Sequence, residues 1–216
     1  MMNSETIQKI RSYYEPMNLK RRIYFRAKIR FAKVMEKVEA LLPKDGTILD
    51  LGCGSGIFDI YLRLASPERK IIGMDTDKWK METLLNKTKE LGIDFRVNDI
   101  NSASIPHADA ILLYDVIHHI DKNKHIFLFQ KCRDALDKGG KLIIKDIELK
   151  GFFGSIIPFT LDHINRLISI GAESKLNFVK PERILIQLNN CGFDTVISRL
   201  PRIGAVHHIL IEAVAR

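Results

Sequence analysis

Three glycines in five positions, Gly52, Gly54 and Gly56 in "LDLGCGSG", follow an apolar run that carries Asp50. Glycines behind a strand let the backbone turn tightly into a helix and let a ligand approach the main chain, so the stretch reads as a ligand-cradling loop. The ligand is narrowed by what is missing. A dinucleotide loop of the GxGxxG type needs a glycine where Ile57 stands, and a P-loop needs a Gly-Lys-Ser/Thr that does not follow. Asp50 would repel a pyrophosphate and attract an ammonium or sulfonium.

Two further carboxylates extend the pattern. Asp75 closes the next apolar run, about 20 residues beyond the glycines, where an acid commonly accepts from ribose hydroxyls. Asp99 in "VNDI" closes the third; it can accept from an exocyclic adenine amine while the Ile100 amide meets a ring nitrogen. Each aspartate alone could be a turn-favouring strand-end cap. Three in succession behind the glycines describe a nucleoside with a cationic tail.

Outside this set, His118 and His119 in "HHID" are the candidate catalytic groups, because a histidine near neutrality can take a proton from a hydroxyl nucleophile. For one of the two, packing beneath the loop is the plainer account. His207 and His208 read as strand-face packing, and Cys53 as a small packed side chain within the loop. No His/Asp/Glu cluster has metal-ligand spacing; "HHIDKNKH" reads as a polar helix-entry loop, so no metal is assigned.

These residues need a frame. Short apolar runs at 47–52, 70–75, 95–99, 108–115 and 140–148 alternate with helical segments near 56–66, 77–91 and 122–138, the signature of a parallel sheet with crossover helices. A helix at 181–193 precedes two strand-like runs, 194–201 and 207–215, whose short connector predicts an antiparallel hairpin. The expectation is an α/β fold, doubly wound: seven strands, mostly parallel, the last antiparallel, with helices on both faces. Residues 19–42 place Ile23, Ala27, Phe31, Val34, Val38 and Leu41 at three- and four-residue steps, predicting one helix with a Lys/Arg-rich outer face. Residues 1–44 are thus expected to form a basic helical cap on a domain spanning 45–216. Residues 149–180, with Phe152, Phe153, Phe159, Ile156 and Ile157, form a lid-like insertion suited to covering an apolar substrate or simply to joining the core.

Bulk composition sets the bounds. A chain of 216 residues that is 46% hydrophobic suits one domain with a substantial core, and a formal charge of +8 favours an anionic partner: RNA, a phosphorylated small molecule, an acidic carrier or a membrane surface. Cys53, Cys132 and Cys191 lie far apart with no CxxC pair, which points to a reducing cytoplasm. The N-terminus lacks an apolar signal core, and no run has the roughly 18 apolar residues of a membrane span, so a cytoplasmic protein without a transmembrane segment is expected.

Taken together, "ILDLGCGSG", "IIGMD", "VNDI" and "ADAILLYDVIHHI" resemble the class I, Rossmann-like S-adenosylmethionine-dependent methyltransferase family over residues 45–216. The resemblance implies S-adenosyl-L-methionine as cofactor, with S-adenosyl-L-homocysteine as product. It also implies that Asp50, Gly52, Cys53, Gly54 and Gly56 line the methionine end. Asp75 and Thr76 would hold the ribose, Asp99 and Ile100 the adenine, and Tyr114 and Asp115 would flank the sulfonium methyl. The acceptor loop reads "DVIHH" where base-amine methyltransferases carry an (N/D)PP(Y/F) motif, and so looks like that of small-molecule enzymes. The expected function is methyl transfer to a small, partly apolar or carrier-bound molecule at a hydroxyl oxygen. RNA methylation through the basic N-terminal helix, and a non-catalytic cofactor-binding scaffold, are the alternatives.

Overall fold

The computed structural model describes residues 2–100, 104–148, 177–203 and 206–216. Three helices, α1 (Ser4–Ser12), α2 (Leu19–Ile29) and α3 (Ala32–Glu39), precede β1 (Thr47–Leu51), α4 (Ile57–Ala65), β2 (Lys70–Asp75), α5 (Lys78–Lys87) and β3 (Asp94–Val97). Then come β4 (Ala108–Tyr114), α6 (His125–Asp134), β5 (Leu136–Glu148), α7 (Pro181–Asn190), β6 (Phe193–Ile203) and β7 (Val206–Ala215). The sheet order is β3-β2-β1-β4-β5-β7-β6. Every pairing is parallel up to β5, and β7 runs antiparallel to both β5 and β6. The expected doubly wound sheet and terminal hairpin are therefore present. The order reverses between β1 and β4, and the carboxyl ends of those strands meet the loops read as functional, as expected of a switch point.

β1 and β4 are central, which is why Ile48 to Leu51 and Ala110 to Leu113 are buried without alternation. Two cores flank the sheet. Ile48, Leu112 and Ile143 face one with α1 to α4; Leu49, Ile111 and Ile144 face the other with α6 and α7. Among the described residues no helix is long and apolar enough to cross a membrane.

The single helix expected over 19–42 is two helices. The chain turns at Arg30 and Phe31, where the Phe31 amide bonds Lys28 O at 3.0 Å. Phe31 then packs edge-on to His208, with ring centroids 5.3 Å apart. Helical periodicity cannot register such a break, because it is set by what Phe31 meets on the sheet. The predicted face changes too: Ile23 is 49% exposed while Phe25 is buried at 6%. Val34, Val38 and Leu42 share the core of β1 and α4, so the N-terminal helices build on the sheet rather than standing apart. Buried Arg69 fixes this attachment by donating to Glu39 Oε1 at 2.7 Å and Pro43 O at 2.7 Å.

Other boundaries shift by a few residues. α5 stops at Lys87 and gives way to a 3-10 turn at 89–91, α6 stops at Asp134, and β5 begins at Leu136 rather than 140. β3 ends at Val97, which leaves Asp99 two residues past the strand. Residues 149–176, with the apolar cluster at Phe152, Phe153, Ile156, Ile157 and Phe159, lie outside the described residues.

Candidate functional site

The glycine loop is shaped by its own backbone and by β2. Gly52 lies at φ 84°, which a side chain rarely adopts, and a Cβ there would stand 2.6 Å from Val116 Cγ2. The amides of Gly52 and Cys53 both donate to Met74 O, at 2.7 and 3.0 Å. Asp75 completes the clasp: one carboxylate oxygen accepts from the Gly54 amide at 2.9 Å and the other from the Asp77 amide at 3.0 Å. A carboxylate has about four lone-pair sites, so Asp75 can hold the loop and still accept hydroxyls. Thr76 is exposed beside it, and Gly56 caps α4. Cys53 Sγ rests 3.8 Å from Met81 Sδ. Burial, then Asp59 and Asp50, push its thiol well above the usual range, which agrees with a packed side chain and not a nucleophile.

The N-terminal helices lie over this loop, as the sequence reading did not foresee. Tyr14 Oη donates to Ser55 O at 2.5 Å, and Ser55 Oγ donates to Tyr24 Oη at 3.2 Å. Lys28 turns inward; Tyr24 first, then Asp115 and Asp50, outweigh burial and hold its ammonium above the ordinary value.

A second cluster forms where β4 and β5 end. Strand alternation sends Lys145 and Asp146 to opposite faces. Fully buried Lys145 donates to Asp115 Oδ1 at 2.5 Å, its Nζ 4.8 Å from the Tyr114 ring centroid and 5.2 Å from that of Phe31. Asp115 has a positive φ of 59°, uncommon for a residue with a side chain. Burial would raise its carboxyl, but Lys145 and Lys28 override this and hold it down to about 2.

On the other face, buried His118 and Asp146 pair. His118 Nδ1 lies 2.5 Å from Asp146 Oδ1, and the His118 amide donates to Asp146 Oδ2 at 3.2 Å. Phe178 stacks on the imidazole at 5.5 Å and 6°. Burial disfavours an imidazolium here, yet Asp146 outweighs it and His118 is raised above the usual histidine value. His119 moves oppositely: partial desolvation, then the adjacent His118, push it down to about 4. The two histidines of the pair are thus electrostatically distinct. His125 explains the rest of "HHIDKNKH": its Nε2 lies 3.2 and 3.1 Å from the carbonyls of Ile117 and Ile120 and so closes the turn. His208 is buried against Phe31, in keeping with strand-face packing.

The structure therefore brings together Asp50, Gly52, Cys53, Gly54, Gly56, Asp75, Tyr114 and Asp115 at one sheet edge. The Val116 contact with Gly52 sets the His118 turn directly against the glycine loop. Asp99 is exposed beyond β3, and Ile100 lines a cavity of about 280 Å³ with Lys124, Phe127, Leu128 and Lys131. A methionine end with its cationic groups fits the loop on one observation. Asp50 Oδ1 and Tyr114 Oη are buried and have no hydrogen-bond partner among the described residues, and both can accept.

Tyr14, Tyr24, Lys28, Lys145 and Asp146 were missed. The signal for the last two was present as charged residues interrupting the apolar strand "KLIIKDIE".

The family model for the O-methyltransferase domain matches residues 9–151, about two thirds of the chain. The chain belongs to the O-methyltransferase family. The ubiquinone biosynthesis O-methyltransferase of Xanthomonas axonopodis pv. citri (strain 306) is 24% identical over 162 residues, 73% of this chain and 67% of that protein. Among solved structures, an O-methyltransferase family 2 protein from Planctomyces limnophilus in complex with apigenin superposes with a TM-score of 0.67 at 20% identity, covering 91% of this chain and 62% of that one. The magnesium protoporphyrin IX methyltransferase of Synechocystis PCC 6803, solved with bound SAH, gives 0.67 at 18% identity over 100% and 96% of the two chains. The fold is that of the S-adenosylmethionine-dependent methyltransferases, and the family match places the glycine loop and the His118 turn inside one O-methyltransferase domain.

Proposed function

We propose that this O-methyltransferase transfers a methyl group from S-adenosylmethionine to a hydroxyl oxygen of a small, partly apolar acceptor, with His118 as the proton acceptor. The observation that carries the reading is the His118–Asp146 pair, buried and set beside the glycine loop. The cofactor, when bound, supplies a methyl group already activated as a sulfonium.

The protein must hold that group in line with the acceptor and take up the hydroxyl proton. Asp146 engages Nδ1, which leaves Nε2 as the basic nitrogen and fixes the ring's orientation. His119, held neutral near 4, is a much weaker base and is assigned a lining role. Asp75, with Thr76 at its rim, would take the ribose hydroxyls, Asp99 and Ile100 the adenine, and Asp50, Gly52, Gly54, Tyr114 and Asp115 the methionine end. Residues 1–44 act in this reading as a cover over the donor loop, since Tyr14, Tyr24 and Lys28 all turn toward it. The match to ubiquinone-biosynthesis and apigenin-bound relatives supports a small-molecule acceptor, and neither supports an RNA substrate or a carrier-bound one. A scaffold without catalysis has no use for a buried, oriented imidazole.

Calorimetric titration with S-adenosylmethionine should show stoichiometric binding. Incubation of a cell extract with methyl-labelled cofactor should place label in the small-molecule fraction, and His118→Asn should abolish that label while retaining cofactor binding. Label in RNA, or full labelling by the variant, would overturn the reading.

A further inference from the structure

Asp59 has no role in any reading above, yet its surroundings are unusual. It stands in the first turn of α4, directly after the glycine loop, and is 0% exposed. Neither carboxyl oxygen has a hydrogen-bond partner among the described residues, and the same holds for Asp50 Oδ1, whose residue is 2% exposed. Buried carboxyls are normally bonded or paired, so three such oxygens under one loop call for a physical account.

Asp50 and Asp59 are electrostatic neighbours, and two carboxyl groups can bond each other only through a proton between them. The groups facing the pair come from every surrounding element. Lys28 comes from α2, Tyr14 from the turn after α1, Cys53 from the loop, Asp75 from β2, and Tyr114 from β4. Lys28 supplies the sole nearby cation among these, and it also serves Asp115. Against it stand three acids and two phenols, so two adjacent ionised carboxylates lack compensation. Burial raises both members. Asp59, pushed up to about 7, is the one favoured to ionise because it stands in the first turn of α4, at the positive end of the helix dipole, which leaves the shared proton on Asp50.

The buried hydroxyl of Tyr114, without a hydrogen-bond partner among the described residues, is an independent sign that something binds here. It too interacts with Asp50, and an acceptor-rich recess of this kind suits an ammonium or sulfonium. We propose that Asp59 is a positioning residue of the cofactor site: with Asp50 it forms a carboxyl pair that keeps a proton in the free protein and releases it to solvent when the cationic methionine end docks. The O–H bond of the pair breaks, the proton passes to buffer, and the freed carboxylate of Asp50 accepts from the cofactor's ammonium. In the free protein the shared proton suppresses like-charge repulsion across the pair, and in the complex the cofactor's ammonium takes over that compensation. This inference rests on the cofactor reading of the site.

The consequence is measurable without any turnover. Because docking expels a proton, affinity for S-adenosylmethionine rises with pH through neutrality, by at most tenfold per pH unit for one proton. Calorimetric titration of the whole 216-residue chain at pH 7, in two buffers of different ionisation enthalpy, should report release of up to one proton per cofactor bound. Asp59→Asn removes the like charge and offers Asp50 an amide donor. Asp50 then ionises in the free protein, proton release disappears, and binding tightens at pH 6 so that the difference between pH 6 and pH 8 closes. Asp50→Asn should also abolish release but should weaken binding at both pH values, since it removes the group that meets the ammonium. Binding without proton release by the parent, or release that persists in Asp59→Asn, overturns the pair while leaving the cofactor reading standing. Absence of any S-adenosylmethionine binding overturns both.

Discussion

At the β1–β2 end of the sheet edge the buried acids Asp50 and Asp59 have no basic side chain bonded to them among the described residues, whereas at the β4–β5 end Lys145 holds Asp115 and His118 holds Asp146, each at 2.5 Å. The two ends share one sheet and one line of loops. They differ in what completes them. The β1–β2 end, the donor end of the proposed reading, uses backbone amides, glycines and acids without a bonded base, so that reading has its electrostatics finished by a cation from outside. The β4–β5 end is finished internally, Lys145 already paired with Asp115 beside the proposed methyl position and His118 with Asp146 at the proposed acceptor end. In the proposed reading, a site prepared this way keeps an oriented proton acceptor at one end and a demand for positive charge at the other.

The largest expected effect breaks the acceptor end. His118→Asn should lower kcat by roughly a hundred- to ten-thousandfold, the usual span for a general base, while calorimetry finds cofactor affinity within about threefold of the parent. Asp146→Asn sharpens the assignment through pH. Asp146 raises His118, and a base must be neutral to act, so the parent's kcat/KM should rise with pH through a value above the ordinary histidine range. Without the carboxylate the histidine falls, and the acid limb of the profile should move to lower pH even as the rate drops. A limb that stays in place would remove Asp146 from this role.

Lys145 separates the structural part of that end from the chemical part. Lys145→Met leaves Asp115 without its closest partner in a mostly buried position, and should cost about 3 kcal/mol in a urea unfolding measurement. Replacing both residues, as Asp115→Asn with Lys145→Met, should recover much of that loss, because no unpaired charge remains. An equal loss in the double variant would mean that packing beneath Phe31 and Tyr114, not the ion pair, dominates.

At the donor end the matching test is Asp75→Ala. Two backbone amides lose a charged acceptor, and in the proposed reading the ribose loses its own, so S-adenosylmethionine should bind roughly ten- to a hundredfold more weakly by calorimetry. Unchanged affinity would detach Asp75 from the cofactor.

The contrast between the two ends also explains what could be read in advance. Glycines with positive φ and acids at strand ends are local requirements of a turn, so Gly52, Gly54, Asp50 and Asp75 were visible in the sequence and lie where expected. The sheet was visible for the same reason, since strands covered on both faces must be continuously apolar. Asp146 and Lys145 act across a long sequence separation, on His118 and Asp115, and their meaning depends on β5 lying beside β4. Alternation alone could place them on opposite faces but could not name their partners. The break at Phe31 was hidden likewise. Lys28 belonged to a run of basic residues, and only folding shows that it turns toward Tyr24, Asp115 and Asp50 while Arg22 and Arg26 stay exposed.

That hidden N-terminal contribution gives the smallest effect. Tyr14→Phe deletes one hydroxyl that donates to Ser55 O, in the loop between Gly54 and Gly56, and leaves the ring on Phe25. A neutral hydrogen bond of this kind contributes about 0.5–1.5 kcal/mol, so if α1 and α2 merely rest on the loop the loss should appear as reduced thermal stability alone. If they shape the donor site, cofactor affinity should fall as well, by roughly two- to tenfold, with kcat at saturating cofactor little altered. The split between affinity and kcat decides the matter: a change confined to cofactor binding ties the N-terminal helices to the donor end, and an equal change in kcat would tie them to the His118 end instead.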